Sequence, residues 1–557
     1  MVSKNMPRNN VASIIRTILA ICMAGLVVVI VVLCLVPPVS RDALTHHLAV
    51  PKLYINHGGI YEIPFMAFSY YPMNLDLLYM IPLYFGNDIA PKFIHFGFGL
   101  LAAFLIYYYL KTRASRLYGL LGALFFLSIP IIVRLSITVY VDLGEICFSF
   151  AALFFLFEWL RKDYKTKYLV LSGVMCGLAL GTKYTGLVTL FLLTLFVPFL
   201  YSRRNKGKKI GFFKPVGFGV LFLLISLIVF SPWAIRNYHW RGNPIYPLHD
   251  KLFNPSKPSQ DIFEDETPQQ EQNRGLITYR SMAYKEPGWY IALLPIRIFF
   301  EGKDNKPQFF DGRLNPFLLI LPLFSFMGRK QDPIYLRTEK MALLAFSVLF
   351  FGFAFFSTEL RIRYISPIIP PLIILSIFGI QNLFRLFVFD QCGVRRNVLL
   401  TIILVVVLIM FSLNLSYIMS QFRDVKPLSY LAGNVSRNEY ISNRRPEYAA
   451  MEYINHNTEK DAKVYFIFLG KRGYYCDREY IFGIEIMKNL ISGANGPEDI
   501  LEGLEGQGIT HILINYRLFD RWVRESFSKE KVLLTHLFFS GNGSTLFVEN
   551  GFGVLGL

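Results

Sequence analysis

Cysteine is scarce in this chain, and its spacing excludes the two kinds of fold that depend on it. Among 557 residues there are only six cysteines, and no two have the spacing of a disulfide framework or a zinc site. The nine histidines form neither an HxH nor an HExxH pattern. We therefore expect neither a disulfide-stapled domain nor a zinc site.

Nucleotide-binding motifs are also missing, and acidic residues are few. The chain has neither a Walker motif nor a Rossmann fingerprint. With 39 acidic against 57 basic residues the net charge is +18, a value that nucleic-acid-binding proteins often have. The Lys and Arg residues, however, lie largely in short loops between apolar runs, as in the cytoplasmic loops of membrane proteins. We predict no cofactor and no nucleic-acid partner.

Long apolar runs dominate what is present. Hydrophobic residues make up 54% of the chain and the mean hydropathy is +0.41, which is typical of an integral membrane protein. We predict an all-α membrane fold, a polytopic helical bundle of about 11 spans. The predicted spans are 13–36, 92–110, 117–136, 142–160, two between 168 and 201, 216–235, 314–327, 341–357, 365–385 and 397–419.

The basic residues orient this bundle in the membrane. Lys4, Arg8 and Arg16 place the N-terminus in the cytoplasm, so the first span delivers residue 42 to the outer face. The odd number of spans leaves the tail outside as well. We therefore predict a multi-pass protein of the cell (inner) membrane with surrounding lipid as a partner, and a long polar outer loop over 248–287.

The tail differs in character from the rest of the chain. AKVYFIFLG, GITHILINY and STLFVEN have the pattern of strands, and helical patterns lie between them around 446–456 and 498–504. We predict a membrane catalytic domain over 1–419 and a small extracytoplasmic α/β domain over 420–557.

The first outer loop, about 40–86, is the most unusual stretch. It is too polar to span and too apolar for a free loop, as expected for an amphipathic interfacial segment. Asp42 opens it at the membrane edge, and His46 follows one turn later, on the same face if the segment is helical. His46 is a candidate for substrate binding, although packing at the interface explains it as well.

Further charged residues fall at the outer ends of the predicted spans. A charge near hydrocarbon is costly and usually faces a cavity or a partner. Cations can hold a lipid-linked phosphate, and a carboxylate can take a proton from an incoming hydroxyl. Helix capping by the acids and snorkelling by the cations are the structural alternatives. The set comprises Asp42, Asp142, Lys183, Arg236, Arg361 and Arg363.

Several motifs, in this order along the chain, resemble a known superfamily. They are DALTHHLAVPKLY followed by SYYPMNLDLLY, Tyr140–Asp142, Gly177–Leu187, Ser231–Pro247 and Arg361–Pro371. The pattern is similar to the GT-C superfamily of polytopic glycosyltransferases, and most to the branch of protein O-mannosyltransferases and the lipid A aminoarabinose transferase. The outer tail also resembles that of members with a C-terminal extracytoplasmic domain.

The resemblance implies an inverting transfer from a polyprenyl-phosphate sugar to an acceptor hydroxyl on the outer face. It makes Asp42 the general base, and Lys183, Arg236 and Arg363 candidates for holding the donor phosphate. Tyr71 and Tyr364 would line the sugar or lipid pocket. Many relatives carry two adjacent acids in this loop, whereas Arg41 and Ala43 flank Asp42 here, so we expect no paired-acid metal site and no required metal. The acceptor stays open between a glycan, a lipid and a protein.

Two other classes of function are compatible with many spans and basic cavities. A transporter or flippase of lipid-linked saccharides is the main alternative, but paired halves and interrupted helices are not evident in the sequence. A membrane-anchored sensor would leave the amphipathic first loop unexplained.

Overall fold

Helices make up most of the chain in a computed structural model that describes residues 6–207, 211, 213–255, 275–327, 332–356, 359–385, 393–541 and 543–557. The apolar runs are helical because hydrocarbon offers the backbone no other hydrogen-bond partners. The helices before the C-terminal domain are α1 (Met6–Cys34), α2 (Ala49–His57), α3 (Asn74–Tyr84), α4 (Ala90–Arg113), α5 (Arg116–Ser128), α6 (Pro130–Ser136), α7 (Asp142–Arg161), α8 (Thr166–Leu180), α9 (Gly186–Arg204), α10 (Phe213–Arg241), α11 (Asp250–Phe253), α12 (Leu276–Ala283), α13 (Gly288–Ala292), α14 (Leu294–Arg297), α15 (Phe317–Phe324), α16 (Ile334–Phe353), α17 (Ile369–Leu383) and α18 (Gly393–Val425).

The multi-pass helical architecture predicted from the sequence is confirmed, but the count of about 11 spans is not. Within the described residues, seven helices are long and apolar enough to cross a membrane, or eight if α5 and α6, bent by 67°, form one span. The helix α15 has eight residues and is about 12 Å long, too short to cross. The helix α16 has 20 residues but carries Arg337, Glu339 and Lys340 in its first half. Of the predicted outer loop, residues 256–274 lie outside the described part.

The helix α7 lies at the centre of the bundle, and 89% of the residues in its most apolar stretch are buried. It packs against α4, α8 and α9. The helix α8 in turn packs closely against α10. A Cβ at Gly177 of α8 would come within 2.5 Å of the Ser226 carbonyl oxygen of α10. The central position of α7 places Asp142, its first residue, among the ends of several helices.

Buried ion pairs join three helices at the other end of α7. The Arg113 guanidinium at the end of α4 lies 3.2 Å from the Glu158 carboxylate of α7 and 2.6 Å from that of Glu339 in α16. The Tyr109 hydroxyl donates a further hydrogen bond of 2.7 Å to Glu339. All three charged side chains are at most 6% exposed. The charges compensate one another in a setting where an unpaired one would be costly.

The small C-terminal sheet domain is also confirmed. Its five strands have the order β2-β1-β3-β5-β4, with β1 parallel to β2 and β3, and β5 antiparallel to β3 and β4. The three predicted strands are present as β1, β3 and β4, whereas β2 and β5 were not predicted. The elements are α19 (Pro427–Leu431), α20 (Arg437–Ser442), α21 (Tyr448–Asn457), β1 (Lys463–Ile467), β2 (Glu479–Phe482), α22 (Ile484–Gly493), α23 (Pro497–Glu505), β3 (His511–Asn515), α24 (Tyr516–Ser526), α25 (Lys529–Gly541), β4 (Ser544–Glu549) and β5 (Phe552–Gly556).

Candidate active site

Asp42 lies at the start of a short helical turn, Ala43–His47, which follows α1 and leads into α2. Its carboxylate forms an ion pair with the Arg363 guanidinium, 321 residues further along the chain. Arg363 belongs to a 3₁₀ segment, Ile362–Ile368, immediately before α17. Burial alone would raise the pKa of Asp42, but the Arg363 guanidinium holds it well below its usual range. The carboxylate is therefore ionised and able to accept a proton.

Lys183 and Asp142 form a second ion pair nearby. Lys183 lies in the turn between α8 and α9, with its Nζ 2.6 Å from a carboxylate oxygen of Asp142 and 3.9 Å from one of Glu145. Burial disfavours the charged form of Lys183, but the two carboxylates outweigh it and raise its pKa. The Thr185 hydroxyl donates a hydrogen bond to Glu145. Lys183 is thus a charged ammonium held at the end of α7.

Tyr364 connects the two ion pairs. Its ring centroid lies 5.1 Å from the Lys183 Nζ and 5.3 Å from the Arg363 guanidinium carbon. The Arg363 guanidinium also lies 5.3 Å from the ring of Tyr140. Cations at this distance from ring faces are attracted to them. Two acids and two cations, distant in sequence, therefore lie around one tyrosine ring.

Arg236 belongs to a separate cluster at the end of α10. It donates hydrogen bonds of 2.7 and 3.1 Å to the backbone carbonyls of Tyr70 and Tyr71, and its guanidinium packs between the rings of Trp233 and Trp240. The Tyr71 ring packs against Tyr184, which follows Lys183 directly. Arg236 thus holds the backbone of the first outer loop.

His46 is packed within the same loop. Its ring stacks on Phe68 at 4.4 Å and lies 4.0 Å from the ring of His47. Burial and the neighbouring His47 hold the pKa of His46 well below its usual range, so the ring is neutral. His47 itself bonds to Asp76 of α3 at 2.7 Å.

The Asp42–Arg363 pair opens onto a cavity of about 580 Å³ that also reaches the end of α18 and the start of the C-terminal domain. Arg361 lines it too, held by Glu359 and lying 3.6 Å from the carboxylate of Asp311. Among the described residues that line it, seven are basic and three acidic: Arg41, Lys92, Arg134, Arg361, Arg363, Arg444 and Arg445 against Asp42, Asp311 and Asp424. The cavity is therefore polar and positively charged.

Buried polar atoms without a hydrogen-bond partner are concentrated at these clusters. Such atoms are rare in folded proteins. In the described part of the chain eight side-chain atoms are of this kind, and four of them belong to the groups above: Nδ1 of His46, Oε2 of Glu145, Nη1 of Arg236 and Nε of Arg363. Three of these four can donate a hydrogen bond to an incoming oxygen.

The donor set does not suit a metal ion. Across the described residues, no group of three His, Cys, Asp or Glu side chains lies close enough together to hold one. The immediate partner of Asp42 is a guanidinium, which would repel a divalent cation from that carboxylate.

Comparison with known proteins places this arrangement in a known fold. Residues 85–235 match the family described as dolichyl-phosphate-mannose-protein mannosyltransferase. The chain superposes on ArnT from Cupriavidus metallidurans bound to undecaprenyl phosphate, with 12% identity and a TM-score of 0.54, over 96% of this chain and 97% of ArnT. The chain therefore shares its fold with this structure.

A second solved structure is similar over a large part of its length. The oligosaccharyltransferase of Archaeoglobus fulgidus matches with 12% identity and a TM-score of 0.54, over 92% of this chain and 72% of that protein. No curated protein sequence matches the chain significantly. The GT-C resemblance inferred from the sequence is thus confirmed. The matched segment 85–235 contains the motifs Tyr140–Asp142 and Gly177–Leu187, whereas Asp42 lies outside it.

Sequence reasoning missed several residues of the candidate site. Tyr140 and Thr185 lie inside motifs that were recognised, so the sequence indicated their positions but not their contacts. Asp76, the partner of His47, and Phe68, which stacks on His46, lie in the first outer loop. Asp311 lies between α14 and α15 without any local signal.

Proposed function

We propose that this protein is a glycosyltransferase that moves a sugar from a polyprenyl-phosphate donor to an acceptor hydroxyl, with inversion and with Asp42 as the general base. The observation that carries the proposal is the partly buried Asp42–Arg363 pair, which lies beside Lys183 and Tyr364 and opens onto a polar cavity. The likeness in fold to ArnT, solved with undecaprenyl phosphate, and to AglB, solved with a dolichol-phosphate, supports this class of donor.

The reaction forms one bond and breaks one. The acceptor oxygen bonds to the anomeric carbon, the carbon–oxygen bond to the phosphate breaks, and its electron pair stays on the phosphate. The proton of the acceptor hydroxyl passes to the Asp42 carboxylate. A carboxylate with a depressed pKa is a weak base, so it takes the proton only after the acceptor oxygen has begun to bond and the hydroxyl has become acidic.

Cations of the two clusters would stabilise the departing phosphate. Lys183 supplies a point charge, and the unpartnered Nε of Arg363 and Nη1 of Arg236 supply directed hydrogen bonds. The Tyr71 and Tyr364 rings offer faces for the sugar or the lipid, and His46, Asp142 and Arg361 complete the binding set. The cavity onto which the Asp42–Arg363 pair opens is suited to the acceptor, which can be a glycan, a lipid or a protein.

Sidedness follows from the charge bias of the loops. The N-terminus is cytoplasmic, and the Asp42 cavity and the sheet domain lie on the outer side of the cell membrane. We propose a catalytic domain over 1–419 and an extracytoplasmic domain over 420–557, with the long helix α18 running through the boundary.

The function is tested by mass spectrometry of envelope glycans and lipids from a deletion strain and its parent. We expect one glycan or lipid to lose a single sugar residue and to regain it when the wild-type gene is restored. Movement of a lipid-linked saccharide across liposomes by the purified protein, without a new glycosidic bond, would instead identify a transporter.

Replacing Lys183 with methionine should weaken binding of undecaprenyl phosphate by about 10- to 100-fold, because a hydrogen bond to a charged group contributes about 1.5–3 kcal/mol. Binding is measured by native mass spectrometry of the purified protein. Lys162→Met, which removes an exposed lysine at the end of α7, serves as the control. Wild-type affinity in Lys183→Met would remove Lys183 from the phosphate site.

A further inference from the structure

The C-terminal domain contacts the chain directly before Asp42. The Tyr475 hydroxyl donates a hydrogen bond of 2.7 Å to the Pro38 carbonyl. The Nε of Arg445 donates one of 2.6 Å to the carbonyl of Val39, three residues before the catalytic candidate. Both acceptors are backbone atoms, so the bonds fix the path of the main chain and do not merely hold a side chain.

The same domain also contacts the chain directly after Asp42. The backbone N–H of Tyr474 donates a hydrogen bond of 3.2 Å to the Leu44 carbonyl. Lys52 of α2 reaches back, and its Nζ donates to the Tyr474 and Cys476 carbonyls at 2.7 and 3.0 Å and to the Asp477 carboxylate at 2.6 Å. Charge-assisted bonds of this kind are among the stronger ones. Asp42 is therefore held from both sides by residues more than 400 positions away.

The contacting segment, Phe468–Asp477, leaves the carboxyl end of β1, where a ligand is expected in a sheet of this kind. In open α/β sheets ligands bind at the carboxyl ends of parallel strands, where the connections diverge to either side. Here β1 is the middle one of three parallel strands, with β2 and β3 on its two sides. Phe65 of the first outer loop packs on Phe482, the last residue of β2, with ring centroids 5.2 Å apart. This edge of the sheet is thus in contact with the protein's own first outer loop.

We propose that the C-terminal domain positions the Asp42 carboxylate for the transfer reaction, with Lys52 and Tyr475 as positioning residues. The inference rests on the proposed function and extends it, because it assigns the domain a part in catalysis. Neither residue needs to touch the substrate. Each acts through the backbone on either side of Asp42, and a displacement of about 1 Å at a reacting group can lower a rate about 100-fold.

The test measures kinetics and loop dynamics in the full-length protein. We expect Lys52→Met to lower kcat for transfer by about 10- to 100-fold, with KM for the donor and affinity for undecaprenyl phosphate near those of the wild type. Hydrogen–deuterium exchange should rise in peptides covering residues 38–54. Lys52→Arg, which keeps the charge and the donors, should restore most of the rate. Tyr475→Phe removes a single hydroxyl and should have the same effect on a smaller scale.

Two matched controls stay within the C-terminal domain. Lys463→Met removes a lysine that bonds to the Gln507 carbonyl and the Glu479 carboxylate, and Tyr448→Phe removes a hydroxyl bonded to Glu452. Neither should change kcat or exchange over 38–54.

The outcomes separate the two proposals. Unchanged kcat and unchanged exchange in both Lys52→Met and Tyr475→Phe would overturn the positioning role. A loss of rate that always accompanies equal losses of donor affinity and thermal stability would overturn it too, because that pattern indicates general damage. Exchange is measured without substrate, so a wild-type protein that forms no glycosidic bond would refute the proposed function alone.

Discussion

Asp42→Asn is expected to lower the rate of transfer by about 100- to 10,000-fold, the range that general-base catalysis contributes. The amide has nearly the shape of the carboxylate but cannot accept the proton of the acceptor hydroxyl. Binding of undecaprenyl phosphate should persist, because the proposed phosphate contacts come from Lys183, Arg236 and Arg363. The measurement is product formation by purified protein with the donor and acceptor identified from the deletion strain.

Asp88→Asn is the matched control for this variant. Asp88 forms another partly buried aspartate–arginine pair, with Arg437 at 2.5 Å, next to the start of α4. Its loss should leave transfer close to the wild-type rate. If Asp42→Asn transfers sugar as fast as Asp88→Asn, Asp42 is not the base.

Arg363→Gln is expected to lower transfer by about 100- to 1,000-fold, as the loss of a hydrogen-bond donor to developing charge does in other enzymes. It should also change the pH dependence. In the wild type Arg363 keeps the pKa of Asp42 well below its usual range, so protonation of Asp42 causes no loss of activity at mildly acidic pH. Without the guanidinium, the largest opposing charge is lost, and burial raises that pKa. Activity is lost as the pH falls through the pKa of the base, so this loss should move to a higher pH in the variant.

The pH–rate profiles of wild type, Arg363→Gln and Arg437→Gln test this. The Arg437 variant breaks an ion pair away from Asp42 and should keep the wild-type profile. Superimposable profiles for wild type and Arg363→Gln would contradict the assigned pairing of Arg363 with the base.

The sequence predicted the class of fold more accurately than it predicted the individual helices. Hydropathy identified the long, uncharged spans, because a run of about 20 apolar residues rarely forms anything other than a membrane-spanning helix. It failed where an apolar run is short or interrupted by charge, as in α15 and α16. The strand β2 was missed because it has only four residues, and β5 because its glycines weaken any strand pattern.

For the candidate site, the sequence indicated which residues lie at the membrane edge but not which of them meet. Asp42 and Arg363 are 321 residues apart, and no local pattern pairs them rather than Asp42 with Lys183 or Arg236. The predicted topology places all three cations on one side. Packing then separated Arg236, which bonds to backbone carbonyls, from Lys183 and Arg363, which share the ring of Tyr364. Their roles as catalytic or binding residues stay predictions until the variants are measured.

The buried ion pairs of Arg113 with Glu158 and Glu339 limit how far the helices of this bundle can move apart. Glu158 lies 16 residues beyond Asp142 on α7, about 24 Å along its axis, so the three joined helices are tied together at the end remote from Asp42. A carrier that exposes its cargo alternately to both compartments would have to separate these helices there. Stripping one desolvated charge of its partner costs about 3–5 kcal/mol. The three helices are therefore held together at this end. This favours a reaction whose substrates bind, and whose products leave, on a single side of the membrane.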